Sequence, residues 1–111
     1  MNINVKYTVT FEKQFKRYKK KFDSINVDLL TLLSNLENEP NVNLGGGFYK
    51  YRLAVKSKNT GKSGGFRVIT FEVIISETEK NATLITIFDK SEKENIPTAT
   101  LKSILAQEGL D

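Results

Sequence analysis

The chain has 111 residues, of which 39% are hydrophobic and 27% charged, with a net charge of +4; this suits one globular domain spanning 1–111 with a core of its own. Cysteine and histidine are both absent, which excludes disulfides, thiolate metal sites, a cysteine nucleophile and a Ser-His-Asp triad. No run of 18 apolar residues occurs and Met1–Thr10 alternates instead of forming a signal-peptide core, so the chain is expected to be cytoplasmic, with no membrane contact.

In chain order, Ile3–Thr10 alternates, with Ile3, Val5, Tyr7 and Val9 on one side, the pattern of a half-buried strand. Thr10 is the expected cap of a helix whose apolar stripe is Phe11, Phe15, Tyr18 and Phe22. A second helix is expected from Asn26 to Asn38, burying Val27, Leu29, Leu30, Leu32, Leu33 and Leu36, and stopped by Pro40. Leu44-Gly45-Gly46-Gly47 reads as a flexible lead-in to a strand over Phe48–Lys56. In that strand Tyr49, Tyr51, Leu53 and Val55 face one side and Lys50, Arg52, Ala54 and Lys56 the other.

Ser57–Gly65 is polar and glycine-rich, the composition of a long hairpin loop. Phe66–Ile75 is nearly continuously apolar and is expected to be central. Its polar positions change parity between Arg67 and Thr70, which either a bulge or a functional strand start would explain. Leu84–Lys90 is a further strand, and a last helix follows Pro97, carrying Leu101, Ile104 and Leu105 and ending at Gly109. The order β-αα-β-β-β-α predicts an α+β fold: an antiparallel meander with two N-terminal helices on one face, the other face left concave and partly polar.

Charge is distributed unevenly. Lys6–Lys21 carries seven basic residues and one acid, and Pro40–Phe71 carries six basic residues and no acid. A separated basic stripe favours a polyanionic partner, because Lys and Arg neutralise phosphates and release counterions; a solvated face is the bland reading. Lys50, Arg52 and Lys56 share one strand face, where side chains two apart lie about 6.6–7 Å from each other, near the spacing of successive phosphates in a single strand. Arg67 opens the next strand and Lys90 closes the last, so a meander can bring their ends together over one phosphodiester. Phe88 shares the face of Lys90, which makes it a candidate for base stacking in competition with packing. Gly61-Lys62-Ser63 imitates a P-loop tail, but Lys56 stands where the first glycine belongs and a strand follows in place of a helix. No acidic cluster has metal-ligand spacing, so neither metal nor cofactor is expected.

Phe48-Tyr49-Lys50-Tyr51-Arg52-Leu53, then Ser63-Gly64-Gly65-Phe66-Arg67-Val68-Ile69-Thr70-Phe71, resembles the RelE/ParE/HigB superfamily of bacterial toxins. Thr86-Ile87-Phe88-Asp89-Lys90-Ser91-Glu92-Lys93-Glu94-Asn95 is similar to the last strand and basic end of HigB-like members. The resemblance implies a RelE-like, microbial-ribonuclease-like fold and the toxin of a type II toxin-antitoxin pair. It further implies cleavage of mRNA in the ribosomal A site, and a cognate antitoxin as partner.

Lys50 and Arg52 match basic strand residues that RelE uses in catalysis and phosphate binding, Arg67 matches the arginine after the Gly-aromatic pair, and Lys90 falls near a last-strand basic residue. The catalytic set implied is Lys50, Arg52, Arg67 and Lys90; the RNA contacts expected beside it are Lys56, Phe88, Lys93, and Lys58 and Lys62, which the loop Ser57–Gly65, longer than in RelE, adds. RelE's C-terminal catalytic tyrosine has no counterpart, since Ile96 or Pro97 lies there, and HigB-type histidines are absent. This leaves the proton-transfer scheme open. The first expectation is a metal-independent endoribonuclease in which Lys50 is the general base, because neighbouring cations favour a neutral amine. The alternatives are a ParE-like, non-nucleolytic toxin acting on a protein target such as DNA gyrase, and an RNA-binding module without activity.

Overall fold

The computed structural model describes residues 1–59, 61 and 64–109. Along them run β1 (Asn2–Tyr7), α1 (Val9–Lys19), α2 (Ile25–Ser34), β2 (Asn41–Gly45), β3 (Phe48–Leu53), β4 (Phe66–Ser76), β5 (Glu79–Asp89) and α3 (Thr98–Gln107), with 3₁₀ turns at Leu36–Asn38 and Lys56–Lys58. The strands form one sheet in the order β1-β5-β4-β3-β2. The α+β architecture is therefore the one expected, with the long apolar β4 at the centre.

Three local expectations are corrected. The helix cap is Thr8, not Thr10: its side chain accepts from the Phe11 amide and its hydroxyl donates to the Ile85 carbonyl at 2.7 Å, so one buried threonine ends the strand, starts the helix and ties both to β5. In α2, Ile25, Leu29 and Leu32 are buried, while Val27 and Leu30 are 61% and 56% exposed; the leucine-rich run contributes one face only. The Gly45-Gly46-Gly47 segment is not a loose lead-in. All three glycines have positive φ, of 86°, 62° and 89°, a run that side chains resist, and they close a bulged turn between β3 and the unexpected edge strand β2.

Pairing also departs from an all-antiparallel sheet. β2 to β5 form an antiparallel meander, but β1 pairs with β5 in parallel. Alternation shows a half-buried strand and carries no information on the direction of its neighbour. The parity change in β4 has a plain cause: the β4–β5 register shifts between Ile69 and Thr70, a bulge that re-aims the strand's polar residues.

The sheet has a core on each side. Phe11, Tyr18, Phe22, Ile25, Leu29 and Leu32 pack with Tyr51, Phe66, Val68 and Ile87 on the side of α1 and α2. On the opposite side Phe48, Ile69, Ile85 and Phe88 pack against Leu101 and Leu105 of α3. The face expected to be open is thus covered at one end by α3, which confines its polar surface to the other end. No helix of the described residues is long and apolar enough to cross a membrane.

Candidate functional site

At that uncovered end lies a cleft of about 420 Å³, lined by Pro40, Asn41, Val42, Lys50, Arg52, Arg67, Lys90, Glu94 and Asn95. All four residues of the expected catalytic set share it. The convergence follows from register. Arg52 stands directly opposite Arg67, and Arg67 directly opposite Phe88; Lys50 lies two residues from Arg52 on the same face of β3. Lys90 follows β5 and is fixed through its backbone, whose amide donates to the Gly65 carbonyl at 3.1 Å.

Gly65 makes this closeness possible. A Cβ there would lie 2.3 Å from the Leu53 carbonyl oxygen, so any side chain would push the end of β3 away from the start of β4. The cleft's two arginines sit on those two strand ends.

The floor of the cleft brings two guanidinium groups onto opposed strand positions. Arg67 is 5% exposed, and its Nη1 donates to the Phe66 carbonyl at 3.1 Å. Burial, and then the Arg52 guanidinium, lower the Arg67 pKa from its ordinary value. Like charges directly opposite across an antiparallel pair are destabilising, and an anion bound between them removes the repulsion. The Lys50 ammonium donates to Asn95 Oδ1 at 3.1 Å, which joins the strand face to the segment after β5. Arg52 and Lys90 are exposed. The cleft thus gathers one buried and three more accessible cations along its lining, a set suited to an anionic ligand.

The expected RNA contacts divide. Lys56 is not on the strand: β3 ends at Leu53, and the chain turns into a 3₁₀ segment whose Lys56 amide donates to the Asp28 carboxylate at 3.1 Å. It borders a separate hollow with Asp28, Thr31 and Glu39, which Arg52 also reaches. Lys58 is committed to structure, since its ammonium donates to the Asp89 carboxylate and to the Gly64 carbonyl and lies over the Phe66 ring. Phe88 is 2% exposed and packs with Leu101 and Leu105, so its ring has no face for a base. Lys93 is exposed but outside the cleft lining. Lys62 lies outside the described residues.

Asp89 organises the cleft from behind. Burial acts to raise its carboxyl pKa, but hydrogen bonds from Lys58 and from the Ser91 amide and hydroxyl outweigh it and hold the pKa below the ordinary range. The loop before β4 and the turn after β5 are pinned to that one carboxylate, with Lys90 between them. None of the tyrosines lines the cleft. Tyr51 is buried and donates to Glu72 at 2.6 Å, and burial followed by that contact pushes its pKa far above the ordinary value.

Sequence reasoning missed Pro40, Asn41, Val42, Glu94 and Asn95. The short alternation Asn41-Val42-Asn43-Leu44 after Pro40 was the available signal for the first three. The last two sit in an irregular segment with no periodicity to read.

A larger hollow of about 530 Å³ lies between α1 and α2, lined by Tyr7, Phe15, Leu29 and Leu30 and rimmed by Lys16, Lys19 and Lys20. It is mainly apolar and its lysines are exposed, so the smaller cleft, with its buried arginine, is the candidate site. Comparison with curated proteins returned no match. The family model for the RelE toxin of the RelE/RelB toxin-antitoxin system matches residues 8–108, a span that includes every residue of the cleft. The chain belongs to the RelE toxin family and is the toxin of a toxin-antitoxin pair, with a cognate antitoxin as its implied partner.

Proposed function

We propose that the chain is a metal-independent endoribonuclease that cleaves mRNA, with the ribosomal A site holding the RNA in geometry. The observation that carries this reading is the cleft floor, where buried Arg67 faces Arg52 with Lys50 and Lys90 alongside. The RNA 2′-oxygen attacks the adjacent phosphorus, forming an O2′–P bond and breaking the P–O5′ bond. Lys50 takes the 2′-OH proton, and Lys90 gives a proton to the departing 5′-oxygen. Arg52 and Arg67 stabilise the charge on the phosphorane. Products are a 2′,3′-cyclic phosphate and a 5′-hydroxyl. Positioning and charge supply most of the acceleration, which suits a site with no imidazole.

The implied antitoxin silences the toxin by covering it. The apolar hollow between α1 and α2, with its lysine rim, suits an acidic amphipathic segment.

Controlled expression tests the reading. It predicts growth arrest, loss of translation and new mRNA 5′ ends, all abolished in Lys50→Ala and Arg67→Ala. Arrest with intact mRNA and lost DNA supercoiling would establish the gyrase-directed alternative. Unimpaired growth would leave an RNA-binding module.

A further inference from the structure

β1 runs beside β5 only as far as Tyr7 opposite Leu84. From Ile85 to Asp89 that edge of β5 has no strand next to it among the described residues. Side chains from the start and length of α1 take a strand's place. Thr8 Oγ1 donates to the Ile85 carbonyl at 2.7 Å, Gln14 Oε1 accepts from the Ile87 amide at 3.0 Å, and Tyr18 Oη accepts from the Asp89 amide at 3.3 Å. The periods match: four helical residues rise about 6 Å and two strand residues about 6.6 Å, so Gln14 and Tyr18 keep step with Ile87 and Asp89.

Tyr18 does more than close this edge. Its hydroxyl also donates to Glu92 Oε1 at 3.0 Å. The ring is buried and stands edge-on to Phe66, with centroids 4.7 Å apart. Burial raises the phenol pKa above its ordinary value, so the oxygen keeps the proton that it donates. One buried oxygen therefore grips both ends of the turn from Asp89 to Glu92, and Lys90 lies between them. The Lys90 side chain is exposed, so its backbone sets where its ammonium enters the cleft. That backbone is held from one side by the Gly65 carbonyl and from the other by Tyr18, which itself does not line the cleft.

We infer that Tyr18 is a positioning residue for the leaving-group side of the cleft: it fixes the turn that carries Lys90 and so directs the Lys90 proton to the departing 5′-oxygen. This rests on the endoribonuclease reading above, in which the P–O5′ bond breaks as that oxygen gains the proton.

The test replaces the 5′-oxygen at the cut by sulfur in one of two otherwise identical ribosome-bound messages. A thiol is far more acidic than an alcohol, so the P–S bond breaks with departure of a thiolate and needs no proton from the protein. Purified full-length wild type, Tyr18→Phe, Gln14→Ala and Lys90→Ala are assayed on both messages, and the ratio of sulfur to oxygen cleavage rates is read. Unfolded protein cleaves neither message, so the ratio reports the folded fraction alone. Lys90→Ala is expected to raise the ratio about a hundredfold, the usual worth of a general acid. Tyr18→Phe keeps the ring against Phe66 and is expected to raise it about tenfold, through displacement of the turn. Gln14→Ala loosens the same β5 edge without touching the turn and should leave the ratio at the wild-type value. A ratio unchanged in Tyr18→Phe, or raised as far by Gln14→Ala, overturns the positioning role and leaves the nuclease standing. A ratio unchanged in Lys90→Ala removes the leaving-group role of Lys90 and this inference with it. No cleavage of either message by the wild type overturns the endoribonuclease reading as well.

Discussion

Replacing Arg52 by glutamine should stabilise the free toxin while disabling it. Arg52 and Arg67 occupy directly opposed positions on β3 and β4, and Arg67 is 5% exposed. Two unit charges about 6 Å apart repel by roughly 3 kcal/mol at the effective dielectric of a protein surface. Arg52 is itself exposed, so water and salt reduce that to about 1 kcal/mol at physiological ionic strength. For a domain of this size 1 kcal/mol raises Tm by about 4 °C. Glutamine keeps the aliphatic stem and leaves the Arg67 contact to the Phe66 carbonyl in place. The assay is thermal unfolding of both proteins across a salt series, repeated with inorganic phosphate. The gain in Tm should shrink as salt rises, because screening weakens the repulsion in the wild type. Phosphate should raise the wild-type Tm more than that of the variant. A variant less stable than wild type at low salt, or a difference indifferent to salt and phosphate, refutes the argument that Arg52 and Arg67 repel each other across the cleft floor.

Three further outcomes follow from the same geometry. Asp89→Asn leaves the Lys58 ammonium without its carboxylate and should cost about 3 kcal/mol in chemical denaturation, with part recovered in Asp89→Asn/Lys58→Met; equal losses in single and double variants would contradict the pairing. The Asp89 and Glu72 carboxyls both lie below their ordinary values of 3.8 and 4.5, because hydrogen bonds from Lys58 and Ser91, and from Lys80, Thr70 and Tyr51, outweigh the upward effect of burial. A folded-state value below the unfolded one gives stability that is complete above the ordinary pKa and lost as pH falls through the folded one; unfolding free energy should therefore decline from about pH 4 downward, less steeply in Glu72→Gln. Gly65→Ala forces its Cβ against the Leu53 carbonyl, should cost about 2 kcal/mol and should lower cleavage together with stability; an unchanged Tm would show that the two strand ends can part freely.

The four-cation set was legible in the sequence because β-strand period and β-hairpin order are local rules. Lys50 and Arg52 had to share a face, and the strands opened by Arg67 and ended near Lys90 had to be neighbours. The parallel partner of β1 was not legible, since the same alternation serves either direction. Val27 and Leu30 misled because leucine-rich composition marks a helix without saying how wide its covered face is. Phe88 and Lys58 were misjudged for one reason: aromatic and basic types are shared by ligand sites and structural contacts, and only the position of α3 and the buried Asp89 carboxylate decided between them. Glu94 and Asn95 reach the cleft by an irregular turn that Asp89 and Ser91 set up, and that tertiary effect leaves no pattern in the chain.

The most direct measurement uses purified toxin and ribosome-bound mRNA, comparing an all-ribose message with one carrying a single 2′-deoxynucleotide on the 5′ side of the cut. Cleavage of the first to a 2′,3′-cyclic phosphate, none of the second, and none of either by Arg67→Ala is the result expected. Equal cleavage of both messages, or full activity of Arg67→Ala, would mean that neither the 2′-oxygen nor the buried guanidinium takes part.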